Sequence, residues 1–318
     1  MNFSKKILLT GAGFTANFGG LLAKTIGREI FSNPQIDSMA SVKEKLGNDG
    51  KFDFETIYSN LYLENSTYTS SFQKMIKEAF INMDKKMQFP SSDKLNLFTP
   101  LRAFLNLFEG NGRETGLFFT LNQDLLIERF IQNPWIPIGF SGTGTKYLEY
   151  VEAITTGSIS PEREWPMPNH NFVEEIKSKY LNSMNNSWYI KLHGSLCWDT
   201  IVLGANKFEV IANDPLLGWY LQTFHDALKG PDAKILVVGY SFSDGDGHIT
   251  ARLQEAAKEN NLKIYVVTPD VEKLIKSFEH GMYPNFPKYI SGYFPPEEIL
   301  IDDLSVRNQS TLWKIFRN

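Results

Sequence analysis

The residues best suited to chemistry in this chain fall where short apolar runs stop. "KILLTGAGFTANFGG" places Gly11, Ala12, Gly13, Phe14 and Thr15 directly after Ile7-Leu8-Leu9-Thr10. Glycines there allow positive φ and let a ligand lie against bare backbone. A strand that feeds a helix through G-x-G also aims N–H groups at an anion. "LFFTLNQD" delivers Asn122 and Asp124, "WYIKLHGS" delivers His193, and "ILVVGYS" delivers Gly239 and Ser241. Each has a plainer use: Asn122 is a good helix N-cap, and a histidine before Gly-Ser suits a hydrogen-bonded turn. Asp244, Asp246 and His248 read as caps of the helix that follows.

Several chemistries can be set aside. Gly11 to Ala16 satisfies G-x-G-x-x-G/A, but no strand ending in an acid follows about 20 residues on. Asp37 lies in "NPQIDSMA", which is no strand, so a dehydrogenase is disfavoured. No G-x-x-x-x-G-K-[ST] occurs, which removes a P-loop NTPase. Gly239-Tyr240-Ser241-Phe242-Ser243 nearly matches the elbow G-x-S-x-G, with Asp270 and His280 downstream in hydrolase order. Ser243 stands where the elbow needs glycine. Cys197 is the single cysteine, so neither a disulfide framework nor a four-cysteine zinc site can form within the chain. His170, His225, His248 and His280 lack ligand spacing, and no metal is assigned.

The motifs require strands to carry them. Lys6–Thr10, Leu117–Leu121, Trp188–Leu192, Lys234–Gly239 and Lys263–Val267 read as buried strands. "DLLIERF", "HITARLQEAAKEN" and "DVEKLIKSFEH" supply helices after three of them. Alternating strand and helix predicts an α/β fold, a Rossmann-like parallel sheet with helices on both faces. In such sheets ligands bind outside the carboxyl ends of the strands. The text between Ile30 and Gly116 is helical, as in "FETIYSNLYLEN" and "FQKMIKEAFINMDKKM". The expectation is one domain over 1–318. Its core covers about 1–32, 114–135 and 186–285, with a large helical insertion at about 33–113. A second insertion spans about 136–185, with a helix near Val173–Tyr180. The tail, 286–318, ends in "STLWKIFRN", apolar enough to dock on a neighbour.

With 318 residues, 42% hydrophobic and 21% charged, the composition is that of an ordinary globular protein. A net charge of −4 carries no basic footprint for direct nucleic-acid binding. The apolar run after Lys5-Lys6 is too short for a signal peptide, and no run approaches the roughly 20 residues of a membrane helix. A cytoplasmic protein with no membrane contact is expected.

Taken in order, the motifs resemble the sirtuin family. "TGAGFT" is similar to its T-G-A-G-I-S, "TLNQD" to T-Q-N-I-D, "KLHGS" to the L-H-G of the catalytic histidine, and "VVGYS" to V-x-G-T-S. Two features depart from that pattern. The P-D-F-R after the glycine loop would fall at Leu21-Leu22-Ala23-Lys24, and the four zinc cysteines are missing: the interval Gly194–Val238 holds only Cys197 and a helical "DPLLGWYLQTFHDAL". A zinc-less domain with a large helical insertion and "GYSFSDGDGHI" looks like the sirtuin-like NAD hydrolases of bacterial anti-phage defence, including those partnered with a HerA-like hexameric ATPase. The resemblance implies NAD as substrate and no metal. It implies Asn122 and His193 as catalytic residues, and NAD contacts from Gly11, Ala12, Gly13, Phe14, Thr15, Asn17, Asp124, Gly239, Ser241 and Thr268. Because an unrestrained NAD hydrolase would poison its own cell, a homo-oligomer is also expected. A protein deacylase, a non-catalytic NAD or ADP-ribose sensor, and a cyclic ADP-ribose product remain open.

Overall fold

The computed structural model describes residues 3–89, 91–110, 114–130, 135–137, 159–162, 170–181, 187–198, 202–204 and 207–317. Seven strands form one sheet: β1 (Phe3–Thr10), β2 (Thr115–Thr120), β3 (Trp135–Pro137), β4 (Ser187–Lys191), β5 (Lys234–Val238), β6 (Lys263–Val267) and β7 (Ile290–Phe294). Their order is β3-β4-β2-β1-β5-β6-β7, and every pairing is parallel. After β4 the chain crosses β1 and builds outward on its other side. That reversal opens a crevice at the carboxyl edge, where ligands of open α/β sheets bind.

Alternation along the strands sorts two cores. Ile7, Leu9, Leu117, Phe119, Trp188, Ile190, Ile235 and Val237 pack on one face with helices Pro215–Leu228 and Gly247–Glu259. Leu8, Phe118, Tyr189, Leu236 and Val238 pack on the other with helices Phe98–Leu105 and Thr311–Arg317. Both faces are covered, which is why the inner strands read as unbroken apolar runs. A third core, built from Ile26, Ile36, Leu46, Ile57, Phe72 and Met83 among others, lies within the helical region. "DPLLGWYLQTFHDAL" forms one helix because Asp214 accepts from the Leu216 and Leu217 N–H groups at 2.9 Å and Pro215 needs no donor at the first turn.

Three boundaries differ from the sequence reading. Helix Ala23–Phe31, assigned to the core, packs through Ile26 and Ile30 into the third cluster with the insertion. The region read as a second insertion contributes the end of β3, and its helix runs His170–Leu181. The tail is not free to dock: β7 completes the sheet, and Leu312, Trp313 and Phe316 are buried against the second face. A sheet covered on both sides needs an apolar helix there, and the tail supplies it. Among the described residues no helix is long and apolar enough to cross a membrane.

Candidate functional site

One row of paired residues aligns the motifs. Thr10 pairs with Thr120 and with Val238, Thr120 with Lys191, and Val238 with Val267. Gly11, Gly239 and Thr268 each stand one residue beyond that row, and Asn122 and His193 each stand two beyond it. The ladders run on past the strands, with Leu121 N donating to Thr10 O (2.9 Å) and Leu192 N to Thr120 O (2.8 Å). Asn122 and His193 therefore leave neighbouring strands at one level. A buried hydroxyl contact, Thr10 Oγ1 to Thr120 Oγ1 at 2.9 Å, locks the row at its centre.

The glycine loop is built against β5. Gly11 N donates to Val238 O and Gly13 N to Gly239 O, both at 2.9 Å, so these two N–H groups are spent on the fold. Gly239 has φ +66°, and a Cβ there would sit 2.2 Å from Phe14 N. A Cβ on Gly13 would sit 2.8 Å from Gly239 Cα. The two glycines permit the close approach of the β1 and β5 turns, a backbone-to-backbone need the sequence left to a phosphate. Phe14 is 4% exposed and packs on Phe18 and Phe118, so its ring belongs to the core, not to a ligand surface. Ala12 and Asn17 are exposed, and Gly13 is half-buried.

Asn122 caps no helix. Its Nδ2 donates to Gly11 O (3.1 Å) and Thr15 Oγ1 (3.4 Å), which ties the end of β2 to the glycine loop. The capping falls to Asp124 and Asp84, which accept from Leu126 N (3.1 Å) and Leu125 N (2.8 Å). Asp124 is turned inward, and burial lifts its carboxyl to about 6 against the pull of Lys191. Around it lie two enclosed ion pairs, Arg129–Asp84 and Lys191–Glu128, the latter at 2.6 Å. Gln123 Nε2 reaches His193 O (3.4 Å) and Val202 O (3.1 Å), while its buried Oε1 has no partner among the described residues.

His193 is 4% exposed. Its Nε2 lies 3.3 Å from Nε2 of His248 and 3.8 Å from Oδ1 of Asp246. Lys207 bridges Asp246 at 2.8 Å and Glu55 at 2.7 Å, so helix Phe54–Leu63 of the insertion reaches the site through one ammonium group. Burial drives His193 down to about 3 and His248 to about 4, with Lys207 adding to both and Asp246 opposing. Both rings are therefore neutral near pH 7, which leaves His193 with a nitrogen lone pair free to take a proton, though as a weaker base than an ordinary imidazole. Burial works against the Asp246 carboxylate, but His193 and Lys207 together hold it below its usual value.

Asp246 makes no side-chain cap, contrary to the sequence reading, because its carboxylate faces Lys207 and His193. Glu55, Lys207, Asp246 and His248 are the residues sequence reasoning missed. Asp246 and His248 sit in "SDGDGHI" two residues apart beyond a strand end, and that placement was the available signal. No spacing could connect them to Lys207 or Glu55. Asp244 instead accepts from Met282 N at 2.8 Å.

The remaining candidates are spread along the edge. Thr268 Oγ1 makes 3.3 Å contacts with the Asp270 backbone, and Thr268 N donates to Phe294 O at 3.0 Å. Ser241 is exposed and, with Phe242, Asp244, His280 and Tyr283, lines a cavity of about 270 Å³. No elbow triad forms, since Asp270 caps its own helix at Lys273 N and His280 Nδ1 meets Lys276 O. A larger cavity, about 400 Å³ between Phe31, Lys43 and Gly47, lies within the helical insertion, away from every motif. Among the described residues no group of three or more His, Cys, Asp or Glu side chains is placed to hold a metal ion.

A search of curated proteins returned no significant match. The SIR2-like domain family matches residues 116–283, a stretch that holds Asn122, His193, Ser241, Asp246 and His248 and leaves the glycine loop to be placed by geometry alone. That match covers more than half of the 318 residues. On it and on the parallel sheet, the chain belongs to the SIR2-like domain family, a domain type that implies NAD binding.

Proposed function

We propose that this protein is an NAD hydrolase that cleaves the nicotinamide–ribose bond to give nicotinamide and ADP-ribose. The observation that carries the reading is the common register of the motifs, with Asn122 and His193 at the same level on adjacent strands. Nicotinamide is a cationic leaving group, so the bond breaks through an oxocarbenium-like transition state, as in glycoside hydrolysis generally. What the protein must supply is orientation, a water and a base.

His193 is neutral and enclosed, and it accepts the proton of the attacking water or of a ribose hydroxyl. Asn122, fixed by its two Nδ2 contacts, keeps its Oδ1 for the ribose hydroxyls and the water. With the Gly11 and Gly13 N–H groups used by the fold, the turn offers its exposed backbone at Ala12 to the pyrophosphate, Ser241 a hydroxyl to a phosphate or ribose, and Thr268 a contact near the adenosine ribose. The helical insertion and "GYSFSDGDGHI" support a role in anti-phage defence, in which the enzyme depletes NAD. An unrestrained NAD hydrolase would poison its own cell, which favours a homo-oligomer gated by a partner such as a HerA-like hexameric ATPase. Exposed Leu63, Phe89 and Leu95 on the helical side are candidate contacts.

The test is incubation of the purified protein with NAD alone, with nicotinamide and ADP-ribose quantified over time. Asn122→Ala and His193→Ala should still bind NAD and lose about 10²–10⁴-fold in turnover. Turnover that required an acyl-lysine peptide would replace this reading with a deacylase, and binding without turnover would replace it with a sensor.

A further inference from the structure

A base buried as deeply as His193 has to dispose of the proton it takes. Its Nε2 has one hydrogen-bond partner among the described residues, Nε2 of His248. The rings are 5.3 Å apart at their centroids and inclined by 39°, so a single proton can be shared along that line. His248 is half-buried and stands in the first turn of helix Gly247–Glu259, between the enclosed His193 and solvent. Burial disfavours a cation on His248; Lys207 and Arg252 add to this while Asp246 opposes, and a helix N-terminus is itself unfavourable to positive charge. A proton arriving on His248 is released quickly. These are the properties of a conduit and not of a store.

We propose that His248 is the proton exit of the site, relaying to solvent the proton that His193 takes during NAD cleavage; this rests on the NAD hydrolase reading above. Water adds to C1′ of the nicotinamide ribose and gives one proton to Nδ1 of His193. The C1′–N bond breaks with its electron pair passing to the nicotinamide nitrogen, which cancels the positive charge of the ring. His193 hands its Nε2 proton to Nε2 of His248, and His248 returns one to bulk water. One proton appears in solution for each NAD cleaved. Asp246 steadies the transient imidazolium on either ring, and Lys207, itself held by Glu55, fixes Asp246 for that task.

The experiment compares steady-state NAD cleavage by wild type, His248→Ala and His248→Gln, each with and without added imidazole. Both variants should lose about 10²-fold in kcat, at the low end of what general acid–base groups contribute, with KM for NAD unchanged within about threefold. Imidazole should restore His248→Ala at least about tenfold and leave wild type unchanged. His248→Gln keeps a hydrogen bond to His193 but carries no proton, so a near wild-type kcat in that variant overturns the relay. So does a His248→Ala enzyme that ignores imidazole while circular dichroism shows it folded. A wild type that releases no nicotinamide, or a His193→Ala enzyme at full rate, overturns the underlying reading instead.

Discussion

Two buried charge networks meet the carboxyl edge of the sheet, and they differ in one respect. Beneath β2 and β4, Asp84 pairs with Arg129 and Glu128 with Lys191, all with side chains at most 5% exposed. Beside β4 and β5, His193, His248, Asp246, Lys207 and Glu55 form a chain that is enclosed at His193 and Lys207 but reaches solvent elsewhere, with 15% exposure at Asp246 and 34% at Glu55. Both networks tie the helical insertion to the sheet, one through Asp84 and the other through Glu55. The closed one can only hold charge in place. The open one can exchange protons with water. A sealed network specifies structure, and a graded one can run chemistry.

The largest expected effect lies in the closed network. Asp84→Ala removes the carboxylate that faces the buried Arg129 guanidinium and the acceptor for Leu125 N. Breaking one side of such a pair costs about 3–5 kcal/mol, read as a lowered midpoint in urea unfolding. Replacing the pair together, as Asp84→Leu with Arg129→Met, should recover most of that loss, because a buried ion pair adds little over apolar packing. If the single variant unfolded at the wild-type midpoint, this network would not be sealed.

The open network should betray itself in the pH profile of activity. With His193 held down to about 3, kcat/KM for NAD should lack an acid limb near 6.5 and stay level to about pH 5. Lys207 contributes to that depression, so Lys207→Met should let the His193 pKa rise and move the limb up by on the order of one pH unit. A wild-type limb at 6.5 would mean that His193 is hydrated, and the contrast between the two networks would fail.

How far the sequence carried depends on burial. The inner strands were legible because both faces are covered and their residues are apolar without interruption. The edges were not: "WIP" is three residues long and contains proline, and "ISGYF" is half-exposed except at Phe294. Asn122, His193 and Gly239 could be found because they directly follow legible strands. Their partners could not. Glu55 and Lys207 come from helices with no fixed spacing to His193, and the inward turn of Asp124 depends on Asp84, which is held by a helix the sequence cannot orient.

The finest distinction between the networks is the sign of their pH linkage. His193 and His248 have lowered values in the folded protein, so the stability they contribute is complete above about 6.5 and is lost as pH falls toward their folded values. Asp124 has a raised value, near 6 against a reference of 3.8, so its contribution is complete below 3.8 and is lost as pH rises through about 6. Between those limits the open network makes stability rise with pH and the closed one makes it fall. Asp124→Asn removes only the second effect, since an asparagine Oδ1 can still accept from Leu126 N. The variant should therefore show a steeper rise of unfolding free energy from pH 4 to 6, by up to about 1.4 kcal/mol per pH unit for one proton. Near pH 7.5 it should be more stable than wild type, and below pH 4 the difference should disappear. Urea titrations at four or five pH values measure both slopes. A difference that does not change with pH would mean that Asp124 ionises freely and faces solvent, and the division into a sealed and an open network would have to be redrawn around it.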